Sequence, residues 1–309
     1  MGREHPYRVT RRTFITEVGR GVSAVAILGT GVVACATASP PDPPLATGLH
    51  IPAYGGNREV GTLDPRGSLE LWTGGNSITG GGPYEGYEFR DSLFIQDGAD
   101  VTFRNCWFWR EGNWNTVLTD EGTRVTMEDC EFGNETAANR PRTQLALRGD
   151  GSIIRRCLFH SAEDGIAFSG KRHLIEQNHV YNLWPENSRL GPHADCCTTD
   201  GPSADVTVRF NNFDAVWHPQ SGWPGQPNAA LQIDEELGDV ADHAWHNNYL
   251  NGGNFTMFLR DQGSYSITGN VVTDNIFGPT FQFGHASVDP GTWTIWEGNV
   301  DTAGEPVNP

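Results

Sequence analysis

From about residue 91 onward the chain returns to the same short pattern about every 20–35 residues, and one side chain comes back in register each time. A first set of strand-like runs reads LFI (93–95), VLT (117–119), LAL (145–147), IAF (166–168), CTT (197–199), LQI (231–233), MFL (257–259) and FQF (281–283). A second set follows each run a few residues later, as in VTFRNCWF, VTMEDCEF, SIIRRCLF and VTVRFNNF. Aligning the second set puts Cys106, Cys130, Cys157, Asn178, Asn211, Asn247, Asn270 and Asn299 in one column. Coils stacked in parallel about 4.8 Å apart would place these side chains over one another, so that amides hydrogen-bond along the stack and thiols pack as small apolar groups. Two residues further on, Phe108, Phe132, Phe159, Val180, Phe213, Tyr249 and Val272 form an apolar column, as a solenoid core requires.

The pattern resembles the right-handed parallel β-helix of pectate-lyase-like proteins, over roughly residues 60–300. The fold class expected is therefore all-β, a solenoid of about eight or more coils with a Cys/Asn ladder. Antiparallel hairpins of a two-sheet sandwich would not keep one Asn at the same place in consecutive repeats. Residues 51–302 are assigned to the β-helix, with 49–90 forming its first irregular coils and plug, and 303–309 a flexible tail.

The first 50 residues read differently. Thr10, Arg11, Arg12, Thr13, Phe14 and Ile15 precede an apolar, glycine-dotted run from Val22 to Ala34, which resembles a twin-arginine export signal. The run is too short for a span of roughly 20 residues. It ends in Val32, Val33, Ala34 and Cys35, which looks like a lipobox with Cys35 lipidated; the alternative is ordinary cleavage after Ala36 or Ala38. Residues 1–35 are thus expected as an export signal and 36–50 as a proline-rich tether. The formal net charge is -17, and loss of a leader holding five Arg and two Glu makes the rest more acidic still. Such a charge argues against nucleic acid and anionic lipid as partners. The expected partners are an extracellular polysaccharide and a membrane reached only through a lipid, for a chain acting as a monomer.

Three of the cysteines fall in the ladder. Cys196 and Cys197 are adjacent, which makes a strained disulfide and lacks the two-residue gap of a zinc or redox motif. Cys197 aligns with Ile166 and Leu231, which are inward positions, so core packing is expected.

The same alignment pairs HSAEDGIAF (160–168) with PHADCCTT (192–199), putting Asp164 and Asp195 at equivalent positions about one rung apart. At that separation two carboxylates either share a cation such as Ca2+ or raise one another's pKa. A raised carboxyl can protonate a glycosidic oxygen while its partner acts as base or nucleophile. His193, two residues before Asp195, would share its side, and His160 lies four before Asp164; both are candidate acid–base groups. The longest connections, 181–194 and 214–228, leave this edge and carry Trp184, Arg189, Trp217, His218 and Trp223, whose indoles suit sugar faces. A second cluster, Lys171, Arg172, Asp200, Asp234, Glu235, Glu236, Arg260 and Asp261, reads as solvated turn charges or an oxygen-rich calcium site.

PHADCCTT followed by VTVRFNNF resembles the His-x-Asp-Gly-Ile-Gln stretch and Asn-rich strand of secreted actinobacterial β-helix proteins. His193 and Asp195 carry over, whereas Cys196, Cys197 and Thr198 replace the Gly, Ile and Gln. The wider group holds lyases, hydrolases, epimerases and adhesins. A lyase of this kind would need Ca2+ and a local base such as Arg189 or Arg260, because Lys171 is the only lysine; a hydrolase built on the Asp pair needs no cofactor. The resemblance implies a polysaccharide lyase or glycoside hydrolase, the alternative being a non-catalytic, surface-anchored carbohydrate-binding or adhesive protein.

Overall fold

The computed structural model describes residues 51–52, 60–112, 114–136, 139–184, 193–216, 227–234, 238–261, 263 and 265–309. All belong to one compact unit, Leu49–Asn187 with Pro192–Pro309. Among the described residues, thirty short strands wind into a parallel β-helix with three faces, sheets of ten, eleven and nine strands, called here sheets 1, 2 and 3. Each coil contributes one strand to sheet 2, then sheet 3, then sheet 1, as in Asp164–Lys171, Leu174–Glu176 and His179–Tyr181. Every strand-to-strand pairing is parallel, so each residue stacks on its equivalent one coil away.

Between sheets 3 and 1 the chain turns through a single left-handed residue in each coil: Asn105, Asp129, Arg156, Gln177, Phe210, Asn247 and Asp274, with φ between 50° and 60°, and then Gly298. That conformation costs a side-chain-bearing residue about 1–2 kcal/mol. The next residue offsets it by laddering. Asn178 Nδ2 donates to Asn211 Oδ1 (3.0 Å), Asn211 to Asn248 (3.0 Å), Asn248 to Asn275 (3.0 Å) and Asn275 to Asn299 (3.0 Å). Each Oδ1 also accepts a backbone N–H from the coil before, and each Nδ2 also donates to a strand carbonyl. Below Asn178 the column continues as Cys157, Cys130 and Cys106, whose thiols rest on carbonyl oxygens of the turn.

The ladder corrects two expected members. Asn247 is the left-handed turn residue and Asn248 the ladder residue, because His246, Asn247 and Asn248 offer two adjacent amides. Asn275 replaces Asn270, which lies buried at the start of a sheet 3 strand, accepting from His243 N and donating to Thr292 O. The apolar column shifts with it: Leu250 and Phe277 take the places expected for Tyr249 and Val272. In the lower coils Phe89, Phe108, Phe132 and Phe159 stack face to face at 4.5–4.8 Å, the rung spacing itself. In the last coil the sheet 2 strand is Gly284–Val288 rather than 281–283.

Cys196 and Cys197 are buried with their thiols reduced, and burial holds both well above the usual thiol pKa. Both ends also differ from expectation. Residues 60–68 form no coil but lie as a strap on sheet 1 and its turns, with Gly61 N donating to Arg156 O and Leu63 N to Asn105 Oδ1. Regular pairing begins at Glu70. Residues 303–309 fold back instead of trailing: Val307 is buried and Trp296 Nε1 donates to its carbonyl (2.7 Å).

Inside the coils, His243 packs between Phe168 and Trp245, with His173 nearby on Phe168. Burial pushes the His243 imidazole down to about 3 from an ordinary 6.5, aided by His173. The folded state therefore holds it neutral while the unfolded chain protonates it. Stability is full above pH about 6.5 and is lost as pH falls, by about 1.4 kcal/mol per unit. A His243→Leu variant should show a flatter melting temperature between pH about 6.5 and 5; an unchanged slope would contradict this burial effect.

Candidate functional site

Asp164 opens the strand Asp164–Lys171 and Asp195 opens the strand Asp195–Ala204, at the corner where the chain passes from sheet 1 to sheet 2. Ile166 pairs with Cys197, so the two aspartates occupy the same column one rung apart. The rung before them holds Thr143 and the one after holds Ala229. The position after Asp164 faces the interior: a Cβ on Gly165 would come within 2.5 Å of a Val180 methyl and 2.6 Å of Cys196 O.

Asp164 is half-buried and Asp195 buried. Asp164 Oδ1 accepts the backbone N–H of Asp195 (3.1 Å), and Oδ2 accepts the Thr143 hydroxyl (3.3 Å). Asp195 Oδ1 accepts from Asn228 Nδ2 (3.0 Å), and the same amide reaches Gln232 Oε1. Burial raises the Asp164 carboxyl well above the ordinary carboxylate range, and the charges of Glu163 and Asp195 raise it further, against the N–H of Asp195 and the guanidinium of Arg142. Oδ1 is committed to an N–H donor, whereas the Thr143 hydroxyl on Oδ2 can rotate to accept, so Oδ2 is the oxygen that can carry a proton. The corner thus presents a carboxylic acid beside a second carboxyl group, a pairing that can donate a proton to a bound ether oxygen. A hard divalent cation takes about six to eight oxygens and would face the N–H that Asp164 Oδ1 accepts, so this donor set fits Ca2+ poorly.

His160 does not join the pair. It is fully buried, and its imidazole lies on the outer side of sheet 1, with Nδ1 at 2.9 Å from Ser161 Oγ and Nε2 at 3.1 Å from Glu131 Oε1. Gly133 makes room for it, since a Cβ there would meet His160 O at 2.2 Å. Ligand atoms of Glu131, Glu135 and His160 gather within 4.8 Å, but the strap supplies the cation: Arg66 pairs with both carboxylates and lies 4.6 Å over Trp107. The Arg66 guanidinium pKa is raised by these partners although burial opposes it. An Arg66→Ala variant should lose about 1.5–3 kcal/mol in chemical denaturation, the range for a charge-assisted hydrogen bond; wild-type stability would show that the strap is not held by this residue.

His193 is half-buried two residues ahead of Asp195 on the same corner. Trp184 is half-buried with the Arg140 guanidinium 5.0 Å over its ring, so it anchors a connection rather than standing open. Arg260 ends the strand Phe255–Arg260 at the opposite edge of sheet 2, paired with Asp234 and away from the aspartates. Arg189, Trp217, His218 and Trp223, like Cys35, lie outside the described residues. Of the second cluster, Arg172 pairs with Asp150 (2.9 Å) as a surface charge, while Glu235 and Glu236 fall outside the described residues.

Sequence reading missed Thr143, Glu163, Asn228 and Gln232. Thr143 and Asn228 sit one rung either side of the aspartates, or next to that rung, and column alignment of QL and AALQ would have found them.

No protein-family model matches the chain, and no curated protein matches it in sequence. In structure it is similar to an alginate lyase from Paenibacillus sp. str. FPU-7, with a TM-score of 0.44 and 11% identity over 66% of this chain and 70% of that one. At that identity no residue here inherits a role from the lyase.

Proposed function

We propose that this is an exported, carbohydrate-active protein that cleaves a polysaccharide by hydrolysis, with Asp164 as general acid and Asp195 as its partner carboxylate. The observation that carries the reading is the elevated Asp164 carboxyl one rung from Asp195, at the corner between sheets 1 and 2. Asp164 Oδ2 delivers its proton to the leaving glycosidic oxygen, and Asp195, steadied by Asn228, acts on the sugar carbon or its water. A spacing of one rung, about 5 Å, suits the retaining geometry, in which the second carboxylate is the nucleophile. An elimination would require a base, for which Arg189 is the candidate, Arg260 lying at the opposite edge of sheet 2. His193 stands beside Asp195 as a further proton carrier.

A second reading, a non-catalytic glycan-binding protein, is favoured by one contact: Asp164 uses both oxygens within its own column, as a structural rung would. Incubating the full chain with neutral and acidic polysaccharides separates the two. Reducing ends without ultraviolet-absorbing unsaturated ends are expected from hydrolysis, unsaturated ends from a lyase, and binding without either from the second reading. Lipidation at Cys35 belongs to the same proposal; a labelled fatty acid should attach to the wild type and not to Cys35→Ser.

A further inference from the structure

The geometry points to an uncharged glycan as the ligand of sheet 2's outer face, gripped beyond the carboxylates by an aromatic platform of Phe255 and Phe283. This rests on the polysaccharide reading above and adds the charge class of the substrate and a second place of contact.

The central column of sheet 2 runs through Ala146, Ala167, Thr198, Gln232, Phe258 and Ser287, each paired with the next, with Thr198 and Ser287 half-buried and the other four buried. None is charged, although the chain carries 21 basic and 38 acidic residues. The column is tied to the carboxylate corner through Gln232, whose Oε1 meets the Asn228 amide that also holds Asp195. One rung beyond Gln232 stands Phe258. Its ring meets Phe255 edge-on at 5.3 Å, and Phe255 lies 5.7 Å from Phe283. Phe283 is 55% exposed. Gly284 is the next rung after Phe255, and a Cβ there would already press on the Phe255 ring at 3.3 Å. Bare backbone at that position leaves the platform open on its outer side.

Spacing identifies the ligand as a chain. Asp195 pairs with Ala229, and the register of Leu231 with Met257 puts Phe255 one rung further, so the platform begins about 10 Å from Asp195 along the stack. An extended glycan along the column advances about one sugar per rung, so a ring cut at the carboxylates has a neighbour over Phe255 two units away. Flat apolar rings suit the C–H faces of pyranoses, and Thr198, Gln232 and Ser287 offer hydroxyl and amide groups between them. A uronate chain would set its own carboxylates against Glu163 and Asp195, a like-charge contact beside a buried group where solvent screens little.

The test titrates the full chain with cellohexaose, mannohexaose, xylohexaose and hexagalacturonate by calorimetry, beside a cleavage assay on the parent polymers. Binding of a neutral probe at least tenfold tighter than hexagalacturonate is expected, weakened about three- to tenfold in Phe283→Ala and in Phe255→Ala. Unchanged affinity in both phenylalanine variants, or tighter binding of hexagalacturonate, overturns the platform. Loss of a self-associated species in Phe283→Ala, seen by sedimentation with glycan affinity intact, overturns it in favour of a contact between copies. In those cases retained cleavage leaves the hydrolytic reading standing. A wild type that neither binds nor cuts any of these glycans overturns both.

Discussion

Exchanging Asp164 for Asn is expected to cut glycan cleavage by about 10²–10⁴-fold, the usual worth of a general acid, while leaving glycan affinity and the melting temperature close to wild type. The amide keeps an oxygen to accept the N–H of Asp195 and a group to face the Thr143 hydroxyl, so the rung survives and only the proton is lost. The pH dependence follows from the sign of the shift. A carboxyl raised by burial, Glu163 and Asp195 stays protonated beyond the ordinary range, and activity requiring that proton declines as pH rises through the elevated value. Stability moves the same way: the proton bound by the folded state favours it below the unfolded pKa, and that advantage disappears as pH rises through the folded one. In Asp164→Asn both dependences should vanish together. A variant with full cleavage would show that the acid lies elsewhere.

Replacing Asn211 by Ala should cost about 3–5 kcal/mol, read as a lowered urea midpoint. Asn211 sits mid-ladder and serves both neighbours. Its Oδ1 accepts the backbone N–H and the amide of Asn178, while its Nδ2 donates to Ile175 O, Arg209 O and Asn248 Oδ1. Truncation leaves the Asn178 N–H and the Ile175 carbonyl buried without these partners, and each such group costs about 1–3 kcal/mol. Hydrogen exchange should quicken first at Asn178 and Asn211, because coils contact only their neighbours. A midpoint within experimental error of wild type would mean that the amide column decorates the turn without supporting it.

The architecture was legible because the property that repeats is also the one that stacks. Cys106 through Asn211 align in the sequence as they do in the coils, because the inward residue two positions on, Phe108, Phe132, Phe159, Val180 or Phe213, fixes the register even where Asn212 follows Asn211. The alignment slipped where local chemistry offered two: the Asn247–Asn248 doublet, and Asn270 against Asn275, both of which are buried or turn-forming amides in real use. The strap of residues 60–68 has no period, and its hold on sheet 1 depends on Asn105, Glu131 and Arg156 from three different coils. Nothing local announces it. The Asp164–Asp195 pairing followed from register alone, whereas the direction of His160 did not. Four residues before Asp164, the chain is still in sheet 1, and the corner between them turns the imidazole toward Glu131. Likewise the platform of Phe255 and Phe283 joins residues from two coils, and in the second of them the sequence alignment placed the strand a few residues too early.

The most direct test of the central claim is a side-by-side assay of wild type and Asp164→Asn on neutral polysaccharide across pH, reading reducing ends and unsaturated ends together. Hydrolysis through Asp164 predicts reducing ends alone from the wild type, falling as pH rises, and almost none from the variant although it still binds the glycan. Unsaturated ends from the wild type, or undiminished cleavage by the variant, would contradict it.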